Sequence, residues 1–94
     1  MVTMFAKHKV ADYQNWKQVY DSIASIRQNL GVTGASVLRD TQDPNTLIVT
    51  HEFASANAAA AFAHSDELKA AMGKAGVAAP PEFWFGEQIE HTAF

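Results

Sequence analysis

Apolar and polar residues alternate over positions 2–10, with Val2, Met4, Ala6, His8 and Val10 on one side and Thr3, Phe5, Lys7 and Lys9 on the other. A period of two suits a half-buried strand. Asp12 ends that run and is a good helix N-cap, because its short side chain can accept from a free backbone N–H of the first turn. Trp16, Val19, Tyr20, Ile23, Ile26 and Leu30 then recur at helical spacing up to Gly31, so one helix is predicted between Asp12 and Gly31.

Two short β-prone runs follow, GASVLRD and TLIVTHEF, separated by TQDPN, whose Asp43, Pro44 and Asn45 favour chain reversal; they predict a hairpin. The alanine-rich stretch from Ser55 to Gly76 has high helix propensity but restarts at HSDEL, where Ser65 can cap and Asp66 and Glu67 suit a helix start. Two helical pieces with a break near His64 are therefore predicted, with Phe62, Leu68 and Met72 on their buried side. Pro80 and Pro81 forbid helix, and EFWFGEQIEH predicts a last strand. The order strand, helix, strand, strand, helix, strand is the ferredoxin-like βαββαβ pattern of the α+β class, a four-stranded antiparallel sheet with helices on one face. That motif carries the strand order 4-1-3-2, with strand 1 between strands 3 and 4.

Composition adds a partner. Ninety-four residues make a single domain, 1–94, with a thin core, yet 48% of the residues are hydrophobic, 11% aromatic and only 18% charged. An obligate homo-oligomer is expected, with the bare sheet face covered by a second copy. Seven basic residues against ten acidic ones, a net charge of -3 and no basic run argue against nucleic acid. The absence of cysteine removes disulfides, thiolate zinc sites and cysteine nucleophiles. No apolar run approaches the roughly 20 residues that cross a bilayer, so no membrane partner and a cytoplasmic location are expected.

The strand end KHKV, the helix start ADYQNW, the turn DPN, the strand end HEF before a small-residue helix, then HSDELKAAM and PP together resemble the dimeric α+β barrel superfamily over residues 2 to 91. Within it the chain is similar to small proteins grouped with antibiotic biosynthesis monooxygenases or with cyclases. The resemblance implies a homodimer whose two sheets form a barrel, each subunit keeping a pocket between sheet and helices. Activities on that fold include cofactor-free oxygenation of polycyclic phenols, polyketide cyclisation, chlorite and haem chemistry, and isomerisation of small lactones.

Candidate chemistry rests on four histidines. His51 interrupts the inward series Leu47, Val49, Phe53; it is either a general base, able to take a phenolic or α-carbonyl proton, or a structural histidine bonded to a tyrosine or backbone carbonyl. His8 shares a face with Met4 and Ala6; if that face looks toward the helices, His8 stands at the pocket mouth beside Trp16 or Tyr20, in a catalytic or a structural role. His64, at the predicted break, resembles in placement the loop histidines of plant-type polyketide cyclases, which carry a second histidine three residues on where this chain has Glu67. His91 is expected at the surface or in the dimer interface. His8 and His51, on neighbouring antiparallel strands, should lie several residues apart, and no HxH, HxxxH or HExxH spacing occurs, so no metal is expected.

Trp16, Tyr20, Phe62, His64 and Trp84 are the candidate substrate-binding residues, an aromatic set suited to a flat ring and equally to core packing. Trp84 and Phe85 must face opposite sides of their strand, so at most one lines the pocket and the other fills the barrel. Glu52 and Glu87 are either candidate acids or, the reading favoured for strands at a rim, solvated carboxylates. There is no GxGxxG and no nucleophile elbow, so no cofactor is expected. The sequence thus points to a cofactor-independent monooxygenase, or a cyclase or isomerase, acting on an aromatic or polyketide-like molecule with His51 and His8 as catalytic residues. The alternative is a non-catalytic small-ligand-binding or stress-associated dimer.

Overall fold

A computed structural model describes residues 1–77 and 81–94; Pro80, one of the two prolines expected to exclude helix, lies outside the described residues. The elements run β1 (Val2–Lys9), α1 (Tyr13–Ser22), α2 (Ala24–Asn29), β2 (Val32–Arg39), β3 (Thr46–Phe53), α3 (Ala56–Ala63), α4 (Asp66–Lys74) and β4 (Glu82–Glu87). Local chemistry sets the helix starts. The side chains of Asp12, Ser55 and Ser65 accept from the backbone N–H of Gln14 (3.0 Å), Ala58 (3.2 Å) and Leu68 (3.2 Å), each satisfying a donor that the first turn leaves free. The break between α3 and α4 falls at His64 and Ser65, as the sequence predicts.

The single helix predicted after Asp12 is instead two. It breaks at Ile23 (φ -102°, ψ 17°), where the Ser22 hydroxyl donates to the Val19 carbonyl at 2.7 Å, a side-chain bond that competes with the helical ladder. Ile26 is consequently turned outward and exposed. Gly31 ends α2 with φ +97°, a conformation that side chains with a Cβ rarely adopt. The β2–β3 reversal is held by Asp40, which accepts from the backbone of Gln42 (2.8 Å) and Asp43 (3.2 Å), and by Asp43, which accepts from Asn45 N–H (3.0 Å) and the Thr46 hydroxyl (2.8 Å).

The four strands form one antiparallel sheet in the order β2-β3-β1-β4. This is the expected 4-1-3-2 arrangement read from the other edge, and the fold is ferredoxin-like α+β. The last strand stops at Glu87 rather than running to His91, because its partner β1 runs out at Val2, the residue paired with Glu87. Beyond it Ile89 and His91 are exposed.

Met4, Ala6, Leu47, Val49 and Phe53 face the helices, where α3 supplies Phe62 and α1 supplies Trp16. The opposite sheet face carries Phe5, Leu38, Ile48 and Trp84 among Thr3, Lys7, Ser36, Thr50 and Glu52, so it is less apolar than the composition suggested. Its centre is nonetheless aromatic: Phe5 and Trp84 stack with ring centroids 5.5 Å apart and planes 5° from parallel. Trp84 is 44% exposed and Leu38 50%, large values for such side chains on a sheet. Among the described residues no helix is long and apolar enough to cross a membrane.

Candidate functional site

A narrow cleft, partly open to solvent, lies between the sheet and the helices; the centre of a water-sized sphere can move through about 50 Å³ of it, within about 490 Å³ of empty space that includes open solvent. The sheet supplies Met4, Ala6 and His8 from β1, Val49 and His51 from β3, and Phe83 from β4. The helices supply Trp16, Tyr20, Ile23 and Arg27 on one side and Leu68 and Met72 on the other. Period-two geometry puts both histidines on this face: Met4 pairs with His51 and His8 with Leu47, so directly opposed residues share a side. His8 and His51 therefore stand four residues apart along the sheet, about 14 Å at ~3.4 Å per residue. Among the described residues there is no cluster of three metal-binding side chains.

A row of rings spans that gap. His8 lies 5.9 Å from Trp16, Trp16 stacks on Tyr20 at 4.8 Å, Tyr20 lies 6.5 Å from His51, and His51 tilts against Phe62 at 5.0 Å. Helical spacing explains the middle of the row, since Trp16 and Tyr20 are one turn apart on the inner face of α1. The apolar wall leaves little for the imidazoles to bond to. His8 is 8% exposed and His51 5%, and all four of their ring nitrogens are buried without a hydrogen-bond partner. The tyrosine or carbonyl partner expected of a structural His51 is absent among the described residues.

Burial disfavours the charged imidazolium, and the Arg27 guanidinium adds a like charge, so the His51 pKa is lowered to about 4. Burial also lowers that of His8. Both rings are neutral at neutral pH, each with an unprotonated nitrogen whose affinity for a proton is weakened by burial. The same shift has a cost in acid. The unfolded chain binds a proton at His51 near pH 6.5 while the folded chain resists until about 4, so the stability associated with the neutral ring is complete above 6.5 and is lost as pH falls through 4. That loss amounts to about 3 kcal/mol at 1.36 kcal/mol per unit. Thermal or urea unfolding between pH 7 and 4 should show wild type losing more stability than His51→Leu; equal losses would place the pH sensitivity elsewhere.

Of the residues singled out in the sequence, the structure brings His8, His51, Trp16 and Tyr20 together at the cleft. Phe62 sits behind His51, in ring contact with it, and is not on the cleft wall. His64 is exposed at the end of α3, where it forms the helix C-cap, and does not reach the cleft. Trp84 is on the opposite face of the sheet, because it pairs with Phe5; Phe83, which pairs with Ala6, occupies the cleft position instead. Phe85 also faces the helix side but lies outside the cleft.

Arg27 was not singled out from the sequence, although a signal existed. The inner stripe of the helical region runs Trp16, Tyr20, Ile23, Arg27, so the cation occupies a position where an apolar residue would be expected. Its guanidinium lies 3.8 Å over the Tyr20 ring, and its Nη2 donates to the Tyr20 carbonyl at 3.1 Å.

Residues 2–74 match the family model described as "Antibiotic biosynthesis monooxygenase". No curated protein matches the chain. Among solved structures the chain is similar to a candidate antibiotic biosynthesis monooxygenase from Bordetella bronchiseptica, with TM-score 0.81 and 12% identity over 95% of this chain and 97% of that one. A second such candidate, from Caulobacter crescentus, has TM-score 0.75 and 21% identity over 95% and 90%. A variant of SnoaB, a cofactor-independent oxygenase from Streptomyces nogalater, has TM-score 0.74 and 16% identity over 96% and 94%. At these identities the likeness is one of fold.

Proposed function

The chain belongs to the antibiotic biosynthesis monooxygenase family, and from that premise we propose that it is a cofactor-independent enzyme acting on a flat aromatic or polyketide-like molecule bound in the cleft beside His51. The observation that carries this reading is the pair of unpartnered, buried imidazoles on an otherwise apolar wall. Buried polar groups are nearly always hydrogen-bonded, and a group kept for chemistry or for a bound molecule is one of the few reasons for an exception. His51 takes a phenolic or α-carbonyl proton. The resulting phenolate or enolate, through its carbanion form, either adds to oxygen, forming a C–O bond and a peroxide that takes the proton back from His51 and loses water to leave a carbonyl, or closes or isomerises a ring; the neighbouring Arg27 charge favours the anion as it forms. His8, four residues along and linked through Trp16, orients the far end of the same ligand.

The cleft suits such a substrate in its lining. Trp16 and Tyr20, stacked on each other and on Tyr13 and Arg27, line it together with Phe83, an apolar aromatic wall that fits a ring-bearing ligand. In the same reading the protein is a homodimer. The exposed Phe5–Trp84 stack with Leu38 and Ile48 forms the centre of the face that a second copy covers, leaving each subunit its own cleft on the helix side.

Oxygen uptake and product formation with polyphenols and hydroquinones test the proposal. Wild-type protein should consume oxygen with at least one of these, or convert one to an isomer without oxygen. Tight binding with neither outcome would favour the non-catalytic binding protein.

A further inference from the structure

Among the described residues Arg27 is the one formally charged side chain on the cleft wall at neutral pH; the two histidines there are neutral and no carboxylate lines it. We propose that the ligand of this cleft is an anion, a flat ring-bearing molecule whose conjugated carboxylate or enolate oxygen is held by the Arg27 guanidinium. The inference rests on reading the cleft as the substrate site, and adds the charge of the substrate and the residue that selects it.

Three features of Arg27 support this. It has no counter-ion: the two ion pairs among the described residues, Lys9 with Asp43 and Lys17 with Asp21, both lie elsewhere. Its orientation is fixed, because the stack over Tyr20 and the bond from Nη2 to the Tyr20 carbonyl hold the guanidinium plane. Its Nε is buried and has no hydrogen-bond partner, so a donor of a fixed, charged fork is unused. A guanidinium matches an anionic oxygen pair in geometry as well as charge, and the low polarity around it strengthens that pairing.

Position supports the same assignment. Arg27 also lines a shallower hollow formed by Ala24, Gln28, Val32, Thr33, Gly34 and Ala35, so it stands where the apolar cleft meets a more polar surface. An anionic group can rest there while the ring enters between Trp16 and Phe83. The arrangement also couples binding to chemistry. Arg27 is the charge that disfavours the His51 imidazolium, and an anion seated against Arg27 offsets that field, making His51 a better proton acceptor when substrate is present.

The test uses two probes of equal shape, 2-naphthoate and 2-naphthamide, titrated against wild type, Arg27→Gln and Arg27→Lys by calorimetry at neutral pH. Wild type should bind the carboxylate at least about tenfold more tightly, the ratio expected of one charge-assisted hydrogen bond. Arg27→Gln should lose that preference while keeping the amide affinity, and Arg27→Lys, which keeps the charge without the fork, should retain part of it. Equal affinity for both probes in wild type, or an undiminished preference in Arg27→Gln, overturns the assignment while leaving the proton chemistry, read separately by oxygen uptake, standing. Binding of neither probe overturns the assignment together with the reading of the cleft as a ligand site. A carboxylate preference in a protein that turns over no polyphenol leaves Arg27's role intact and removes the oxygenase.

Discussion

Trp84→Ala is expected to weaken the proposed homodimer more than about a hundredfold in its dissociation constant. Trp84 is large, half-exposed in a single chain, and already ordered by its stack on Phe5, so a partner that covers it gains apolar contact at little entropic cost. Replacing a buried large aromatic by alanine typically costs about 3 to 5 kcal/mol, more than a hundredfold in a dissociation constant. The two-fold symmetry of a homodimer makes each substitution count twice. Sedimentation equilibrium of wild type, Trp84→Ala and Phe85→Ala decides the matter. The neighbouring Phe85 faces the helix side, so its truncation should leave the association constant unchanged. A wild type that sediments as a monomer, or a Trp84→Ala protein that dimerises as wild type does, would show that the exposed sheet face is not an interface.

The contrast between Trp84 and Phe85 shows where sequence reading stops. Alternation alone states that the two lie on opposite sides, but which side is which depends on pairing with β1, a contact across nearly eighty residues that no local pattern encodes. That His8 shares a face with Met4 and Ala6, and His51 with Leu47 and Val49, is legible from alternation, but which of the two sheet faces meets the helices is settled by the packing of Phe62 and Trp16 on them. The β2–β3 hairpin and the restart at Ser65 were legible for a different reason: Asp40, Asp43 and Ser65 act through bonds to residues two or three positions away. Continuous hydrophobic periodicity concealed the break at Ile23, because the Ser22-to-Val19 bond interrupts the ladder without interrupting the pattern of apolar residues. Arg27 is inconspicuous in the sequence because the apolar stripe around it, Ile23, Ile26 and Leu30, suffices to define the helix without it. Phe62, in turn, was correctly read as inward, but whether an inward aromatic lines a cleft or backs its wall is set by the packing of α3 on β3, which only the structure supplies.

His51→Ala is expected to lower turnover by 100- to 10,000-fold, the usual contribution of a positioned general base, while leaving ligand affinity nearly unchanged. The separation follows from the wall. In the proposed reading the ring of the ligand rests on Trp16, Tyr20 and Phe83 and its charge on Arg27, whereas the nitrogen that takes the proton is that of His51. Alanine also removes a ring packed 5.0 Å from Phe62, so His51→Gln, which fills more of that space, guards against a loss caused by collapse of the cleft. Both variants should keep the wild-type far-ultraviolet spectrum. The decisive measurement is kcat and ligand dissociation constant for wild type and His51→Ala on one polyphenol. Intact binding with turnover reduced at least a hundredfold is the predicted result, and an alanine variant that turns over at the wild-type rate would contradict the assignment of His51 as the proton acceptor.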